Sequence, residues 1–275
     1  MAPFAANFVL RQKAFGYMKQ SPIESKDNER IRFLRKLTYK KHREKFGRFF
    51  VENIKIIHDA AKNGIFPESV FCTENFFDRH KKEIEFVIQK AGDENLCFIG
   101  DKVNKSFSEL TTPSGVAVIY VIPEFQIKEN KPVVYLNGIN DPGNLGTIIR
   151  SAAAFDFGNL ILDELCADAF NYKTVNASKD AIFKVNIAYD ENLKKIKQLK
   201  KKMSIYSTAI KSGEDAAKIK KGKAFCLVFG SEARGVDDKI LKLSDGLINI
   251  KTNGQVESLN VACAASIIFS KLYKG

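Results

Sequence analysis

The sequence lacks what a metal site, a disulfide framework or a membrane span would need. Its five cysteines, Cys72, Cys97, Cys166, Cys226 and Cys263, are odd in number and scattered, with no C-x-x-C among them. That spacing excludes a zinc ribbon and a thioredoxin-type motif, and it points to a reduced, intracellular and cytoplasmic chain. The three histidines, His42, His58 and His80, stand apart, so no metal-ligand cluster is expected. No apolar run approaches the roughly 20 residues that cross a bilayer. Acid is missing from the start: residues 1–23 carry Arg11, Lys13 and Lys19 and no Asp or Glu. This is weakly transit-peptide-like, but a flexible tail over residues 1–27, or a start upstream of a natural Met18, is the simpler reading.

Positive charge, by contrast, is plentiful. Lys and Arg number 44 against 32 Asp and Glu, a net +12 over 275 residues. Such an excess favours a polyanion, because each cation set against a phosphate releases condensed counterions. Many soluble proteins are simply basic, so charge alone does not specify nucleic acid. The length allows two domains, each burying its own core.

Periodicity divides the chain. Residues 28–48 read NERIRFLRKLTYKKHREKFGR, with Ile31, Leu34 and Leu37 at helical spacing. They predict a helix with a cationic outer face, on which Arg32, Arg35, Lys36, Lys40, Lys41, Arg43 and Arg48 are candidate contacts to a polyanion. Strands over 49–51, 70–72, 96–99 and 115–122 alternate with helices over 53–63 and 79–91, giving a small α/β domain over 28–122. Residues 123–132 (PEFQIKENKP) are polar and bounded by prolines, and read as a linker. Beyond them, strands over 133–136, 160–162, 204–207, 224–229 and 247–251 alternate with helices over 145–157, 190–202 and 258–273. The fold class is therefore α/β, with a mostly parallel sheet in residues 133–275.

Ligands of parallel sheets bind beyond the carboxyl ends of the strands, and three loops there stand out. The first, NGINDPGNLGTIIR, holds Asn144, with Gly143 and Gly146 positioned to let a ligand approach a helix terminus. Alone, Asn144 reads as an ordinary cap. Arg150 is a lone cation on an otherwise small and apolar helix, which favours a functional role over mere solvation. Its side chain leans back toward the loop. The second loop, FGSEARG, sets Glu232 between two glycines, where it could equally be a helix-start acid. The third runs from Ile250 to Asn260. There Ser258 suits an N-cap, while Asn260, at the head of the buried VACAASIIF, must find a partner or face a cavity. Asp163 sits about where a dinucleotide fold places its ribose acid, but the glycine pattern G-x-x-G is not the required fingerprint.

The three loops together resemble the ordered motifs of the SpoU, or TrmH-like, branch of RNA methyltransferases, through DPGNLGTIIRSA, LVFGSEARGV and ESLNVACAAS. The front domain is similar to that family's ribosomal-protein-like RNA-binding extension, through LRKLTYKKHREKFGRFFVEN and SELTTPSGVAV, so the likeness covers about residues 28–275. The resemblance implies a C-terminal segment threaded into a trefoil knot, a homodimer, and S-adenosylmethionine as methyl donor to a ribose 2′-hydroxyl of structured RNA. It implies that Gly230, Ile250 and Leu259 hold the cofactor, and that Asn144, Arg150, Glu232, Ser258 and Asn260 form the polar catalytic set. Ribosomal RNA of the large subunit is favoured over transfer RNA, and a non-catalytic RNA-binding or ribosome-assembly role is the alternative. Three segments depart from the family pattern: Lys251 replaces a proline, Asn176 and Asp180 change an R-A-S-x-G-A segment, and Asn53 stands where glycine commonly follows Val-Glu.

Overall fold

A computed structural model of the chain describes residues 21–124, 126–210, 213–216 and 224–273, and divides into two units, Met1–Pro123 and Glu124–Gly275. The first unit is built on β1 (Arg48–Val51), β2 (Ser69–Cys72), β3 (Leu96–Phe98) and β4 (Val116–Val121) in the order β1-β4-β2-β3. β4 runs antiparallel to both of its neighbours, and β2 and β3 are parallel. Alternate residues face opposite sides of a strand. Phe50, Phe71, Cys97, Ala117 and Ile119 share one core with Ile31, Leu34 and Leu37. The residues of opposite parity, such as Phe49, Val70 and Val118, are equally buried, so the sheet is covered on both faces.

The basic segment expected as one helix is two, α1 (Glu29–Lys36) and α2 (Lys40–Phe46). Arg43 explains the break. It is buried, and its guanidinium donates to the carbonyls of Leu37 and Thr38 at 2.7 and 2.8 Å, satisfying groups that a continuous helix would bond internally. α3 (Ile54–Lys62) is capped by Asn53, whose side chain accepts from the Lys55 and Ile56 amides. That is the local use of the asparagine that departs from the family's glycine. α4 (Glu74–Arg79), α5 (Lys81–Ala91) and α6 (Asp101–Phe107) complete the unit. Of the tail expected over 1–27, residues 1–20 lie outside the described residues. Ile23 is already part of the fold: its amide donates to Phe98 O at 2.8 Å and its side chain packs on the core. An apolar residue and the open edge of β3 satisfy one another there, so the expected tail is too long at its C-terminal end.

In the second unit β5 (Val133–Asn137), β6 (Asn159–Asp163), β7 (Asn186–Asp190), β8 (Ser204–Thr208), β9 (Glu214–Asp215), β10 (Phe225–Gly230) and β11 (Gly246–Asn249) lie in the order β7-β6-β5-β10-β8-β11-β9. Every pairing is parallel. The central strands VVYLN, NLILD and FCLVFG are buried at every residue, as strands covered on both faces require. The helices are α7 (Pro142–Ala154), α8 (Tyr172–Ser178), α9 (Lys194–Lys200), α10 (Asp238–Leu241) and α11 (Val261–Leu272). Phe157 stacks on Phe269 of α11 at 4.7 Å. The expected linker is not free along its length: Asn159 Oδ1 accepts from the Lys128 amide at 3.2 Å, Asn159 Nδ2 donates to the Lys128 and Pro132 carbonyls, each at 3.3 Å, and Ile127 packs on the core. Among the described residues no helix is long and apolar enough to cross a membrane, and no group of three or more His, Cys, Asp or Glu could hold a metal ion.

Candidate active site

The carboxyl ends of β5 and β10 and the head of α11 meet at one carboxylate. Glu232 Oε1 accepts from Asn260 Nδ2 at 2.6 Å, from Asn144 Nδ2 at 3.2 Å and from the Val261 amide at 3.3 Å. Asn260 Nδ2 also donates to Asn144 Oδ1 at 2.9 Å. The orientation of Asn260 is fixed by its other end, because Oδ1 accepts the Ala262 and Cys263 amides as the N-cap of α11. Ser258 therefore does not cap this helix. Likewise the cap of α7 is Asp141, which accepts the Asn144 amide at 2.7 Å and leaves the Asn144 side chain for Glu232.

Local sequence explains why the loops hold still. Gly235 closes the turn after β10, its amide donating to Ser231 O at 2.8 Å with φ at +68°. A Cβ on Gly230 would collide with the Gly235 backbone. Gly146 serves packing, not ligand approach: a Cβ there would lie 2.6 Å from the Thr174 carbonyl oxygen of α8. Asp163 is likewise fully engaged. It accepts from Asn137 Nδ2 at 2.6 Å and from the Gly138 and Leu165 amides at 3.0 and 3.1 Å, while Asn137 Oδ1 takes the Asp237 amide at 2.8 Å. The apparent ribose acid is thus a brace that ties three strand-end loops together.

Beside the junction lies a hollow of about 820 Å³, counted with its open mouth. Gly230, Ile250 and Leu259 line it, as do Glu232 and Ser258. So does a fourth loop that sequence reasoning missed, Thr208 to Ile210 after β8, which has no unusual residue to signal it. Ile210 and Val256 present apolar surface, each more than half exposed. Among the described residues two carboxylates, Glu232 and Glu257, and no lysine or arginine line the space, in a chain of net charge +12. Such a lining opposes a pyrophosphate and suits a ligand carrying positive charge. Asn249 Oδ1, also at the hollow, is shielded from solvent without a protein partner among the described residues, so an acceptor is available to a ligand N–H.

Arg150 is placed differently. It is exposed on α7, does not line the hollow, and makes no hydrogen bond or ion pair among the described residues. Six residues of α-helix turn the chain through about 600°, which aims Arg150 roughly 120° away from Asn144. Glu232 therefore holds the loops and not Arg150. Of the seven cations proposed in the first unit, two are committed elsewhere. Arg43 is buried, and Arg48 forms a two-pronged pair with Glu68 at 2.7 and 2.8 Å that raises its pKa, chiefly through that hydrogen bond. Lys40 lies 3.7 Å from Glu44. Arg32, Arg35, Lys36 and Lys41 are exposed and unpaired among the described residues. Asp180 pairs with Lys184 at 2.5 Å, and the backbone strain of that segment falls on Lys179, with φ at +58°.

An all-parallel sheet with an acid-lined hollow at its strand ends and an unpaired arginine on the adjoining helix is an α/β domain equipped for a small ligand and an anionic one. Residues 131–270 match the SpoU rRNA Methylase family, and the chain belongs to that family of methyltransferases. Residues 28–118 match the MRM3-like substrate binding domain. The chain is 32% identical to the 23S rRNA (guanosine(2553)-2′-O)-methyltransferase RlmP of Bacillus subtilis, over 91% of this chain and 98% of that protein. A structure of an RNA methyltransferase of the TrmH family from Porphyromonas gingivalis aligns with TM-score 0.76 and 26% identity, over 90% of this chain and 98% of that one. An AdoMet-bound rRNA methyltransferase from Sinorhizobium meliloti shares the fold, with TM-score 0.76 at 24% identity over 92% and 97% of the two chains.

Proposed function

We propose that the protein methylates a ribose 2′-hydroxyl in ribosomal RNA of the large subunit, using S-adenosylmethionine. The observation that carries this reading is the hollow lined by two carboxylates and, among the described residues, by no cation, set against the Asn144–Glu232–Asn260 junction, in a member of the SpoU rRNA Methylase family. The donor, when bound, supplies a methyl group already activated on a cationic sulfonium, so the chain's own residues need only bind, align and manage a proton. Gly230, Ile250 and Leu259 hold the donor through the loops that line the hollow, with Glu232 and Glu257 complementing its charge. Asn144 and Ser258 orient the sugar, and Asn260, whose amide is spent on Glu232, Asn144 and the cap of α11, holds that arrangement in place. Arg150 is unsuited to act as a base, since a guanidinium loses its proton only above about pH 12. Its free, exposed guanidinium instead clamps the phosphate next to the target ribose.

The enzyme works as a homodimer in this reading, supported by apolar surface on and after α11, where Ile267 and Tyr273 are 36% and 46% exposed. Sedimentation of the full chain reads this directly, and a monomer at all concentrations refutes it. Calorimetry with S-adenosylmethionine tests the central reading. One donor per chain is expected, and no measurable heat would leave only an RNA-binding or ribosome-assembly role.

A further inference from the structure

The turn between α1 and α2 presents an aromatic ring to solvent, close in sequence to the free cations. Tyr39 is 63% exposed and occupies the N-cap of α2, a position where its side chain makes no capping bond. Ser, Thr, Asp or Asn would be the helix-stabilising choice there. The ring begins a ladder that runs inward: Tyr39 to His42 at 6.3 Å, His42 to Phe46 at 5.8 Å and 15° between planes, and Phe46 to Phe33 at 5.2 Å. Phe33 and Phe46 pack on the core of the unit. The turn itself is pinned from beneath by the buried Arg43, through the carbonyls of Leu37 and Thr38. Arg35, Lys36 and Lys41, within four residues of Tyr39, are exposed and have no ion pair among the described residues.

A single exposed aromatic is ordinary. One backed by rings that reach the core, and within four residues of three unpaired cations, combines the two features that bind single-stranded nucleic acid, a stacking face and a phosphate-attracting surround. We propose that Tyr39 is a stacking platform for an unpaired base of the RNA, with Arg35, Lys36 and Lys41 holding the flanking phosphates. The proposal rests on the reading that the protein binds RNA, and it selects unpaired over duplex segments as the target of this surface. A base-paired helix keeps its bases stacked inside and offers no free face to a side chain.

The test uses the full chain without methyl donor. The probes are a single-stranded uridine oligonucleotide carrying one central 2-aminopurine, and an RNA duplex of the same length. The unmodified protein should change the 2-aminopurine fluorescence on binding. Tyr39→Ala should abolish that change and weaken single-strand binding about tenfold, the scale of one base–aromatic stack. Duplex binding should stay the same, and Tyr39→Phe should retain both the signal and the affinity. Lys36→Ala should weaken both probes together and shallow the salt dependence. Equal melting temperatures for the Tyr39 variants, expected for so exposed a side chain, establish that folding is unchanged. Single-strand affinity of Tyr39→Ala within about twofold of the parent, an equal loss for the duplex, or a Tyr39→Phe loss as large as that of alanine would overturn the proposal. Because no turnover is read, failure of methyl transfer with stacking intact would count against the enzymatic reading alone.

Discussion

Arginines in two regions of this protein meet opposite fates. In the basic stretch of residues 28–48, Arg43 of α2 and Arg48 of β1 are both committed: one is buried on carbonyl oxygens and the other is neutralised by Glu68. On α7, Arg150 sits among small and apolar neighbours and has no partner among the described residues, while Glu232, on the side of α7 that carries Asn144, accepts three N–H groups from the loops. The lesson is that a cation's surroundings in sequence say little about its availability. What matters is whether the fold brings an acceptor within reach. A cluster can be partly structural, and a lone arginine can be the one left free for a substrate.

The comparison makes predictions that fall in order of size. Glu232→Ala removes the shared acceptor of three donors and lets two loops drift, so methyl transfer should fall by about a hundredfold or more, read as initial rates with saturating RNA. Near-normal turnover would mean that the junction is only decorative. At the α1–α2 corner, Arg43→Ala should cost about 3 kcal/mol of stability by leaving two shielded carbonyls unpaired, measured by denaturant unfolding. Arg35→Ala should leave stability alone and lower the salt slope of RNA binding by about one. If the two variants behave alike, the division between committed and free cations fails.

Arg150→Ala should reduce transfer by about thirtyfold, the loss of a charged hydrogen bond to substrate, with donor affinity unchanged because Arg150 does not line the hollow. Lys179→Gly should raise stability by about 1 kcal/mol by relieving a left-handed backbone at a non-glycine residue. Smallest is the surface pair of Lys200 with Asp245. Its hydrogen bond holds the Asp245 carboxyl below the ordinary carboxylate pKa, with the Ile205 amide adding to the effect. Asp245→Asn should therefore cost less than about 1 kcal/mol at neutral pH. A depressed carboxyl stabilises above its unfolded pKa, near 4, so the cost should vanish as pH falls through the lower folded value.

Much of the architecture is legible in the sequence because the central strands are buried on both faces and spell unbroken apolar runs, as in Val133–Asn137 and Phe225–Gly230. β7 is not legible, since Asn186–Asp190 is only partly buried and its pattern is broken by polar residues. The helix expected from residue 190 starts at Lys194, because Asn192 and Leu193 are left-handed and Asp190 is spent on the Lys195 and Ile196 amides. Caps are ambiguous for a simple reason. Asp141 and Asn144 lie three residues apart, Ser258 and Asn260 two, and all are competent cap residues, so backbone geometry decides between them. The loop motifs led to the hollow, whereas Thr208 to Ile210 reached it through the position of β8 beside β10, which no local pattern encodes.

The most direct measurement is to incubate the protein with methyl-labelled S-adenosylmethionine and ribosomal RNA, and then to hydrolyse the RNA in alkali. A methylated 2′-oxygen cannot attack the neighbouring phosphate, so label should appear in an alkali-resistant dinucleotide. Label released in ordinary mononucleotides, or none incorporated at all, would contradict ribose methylation.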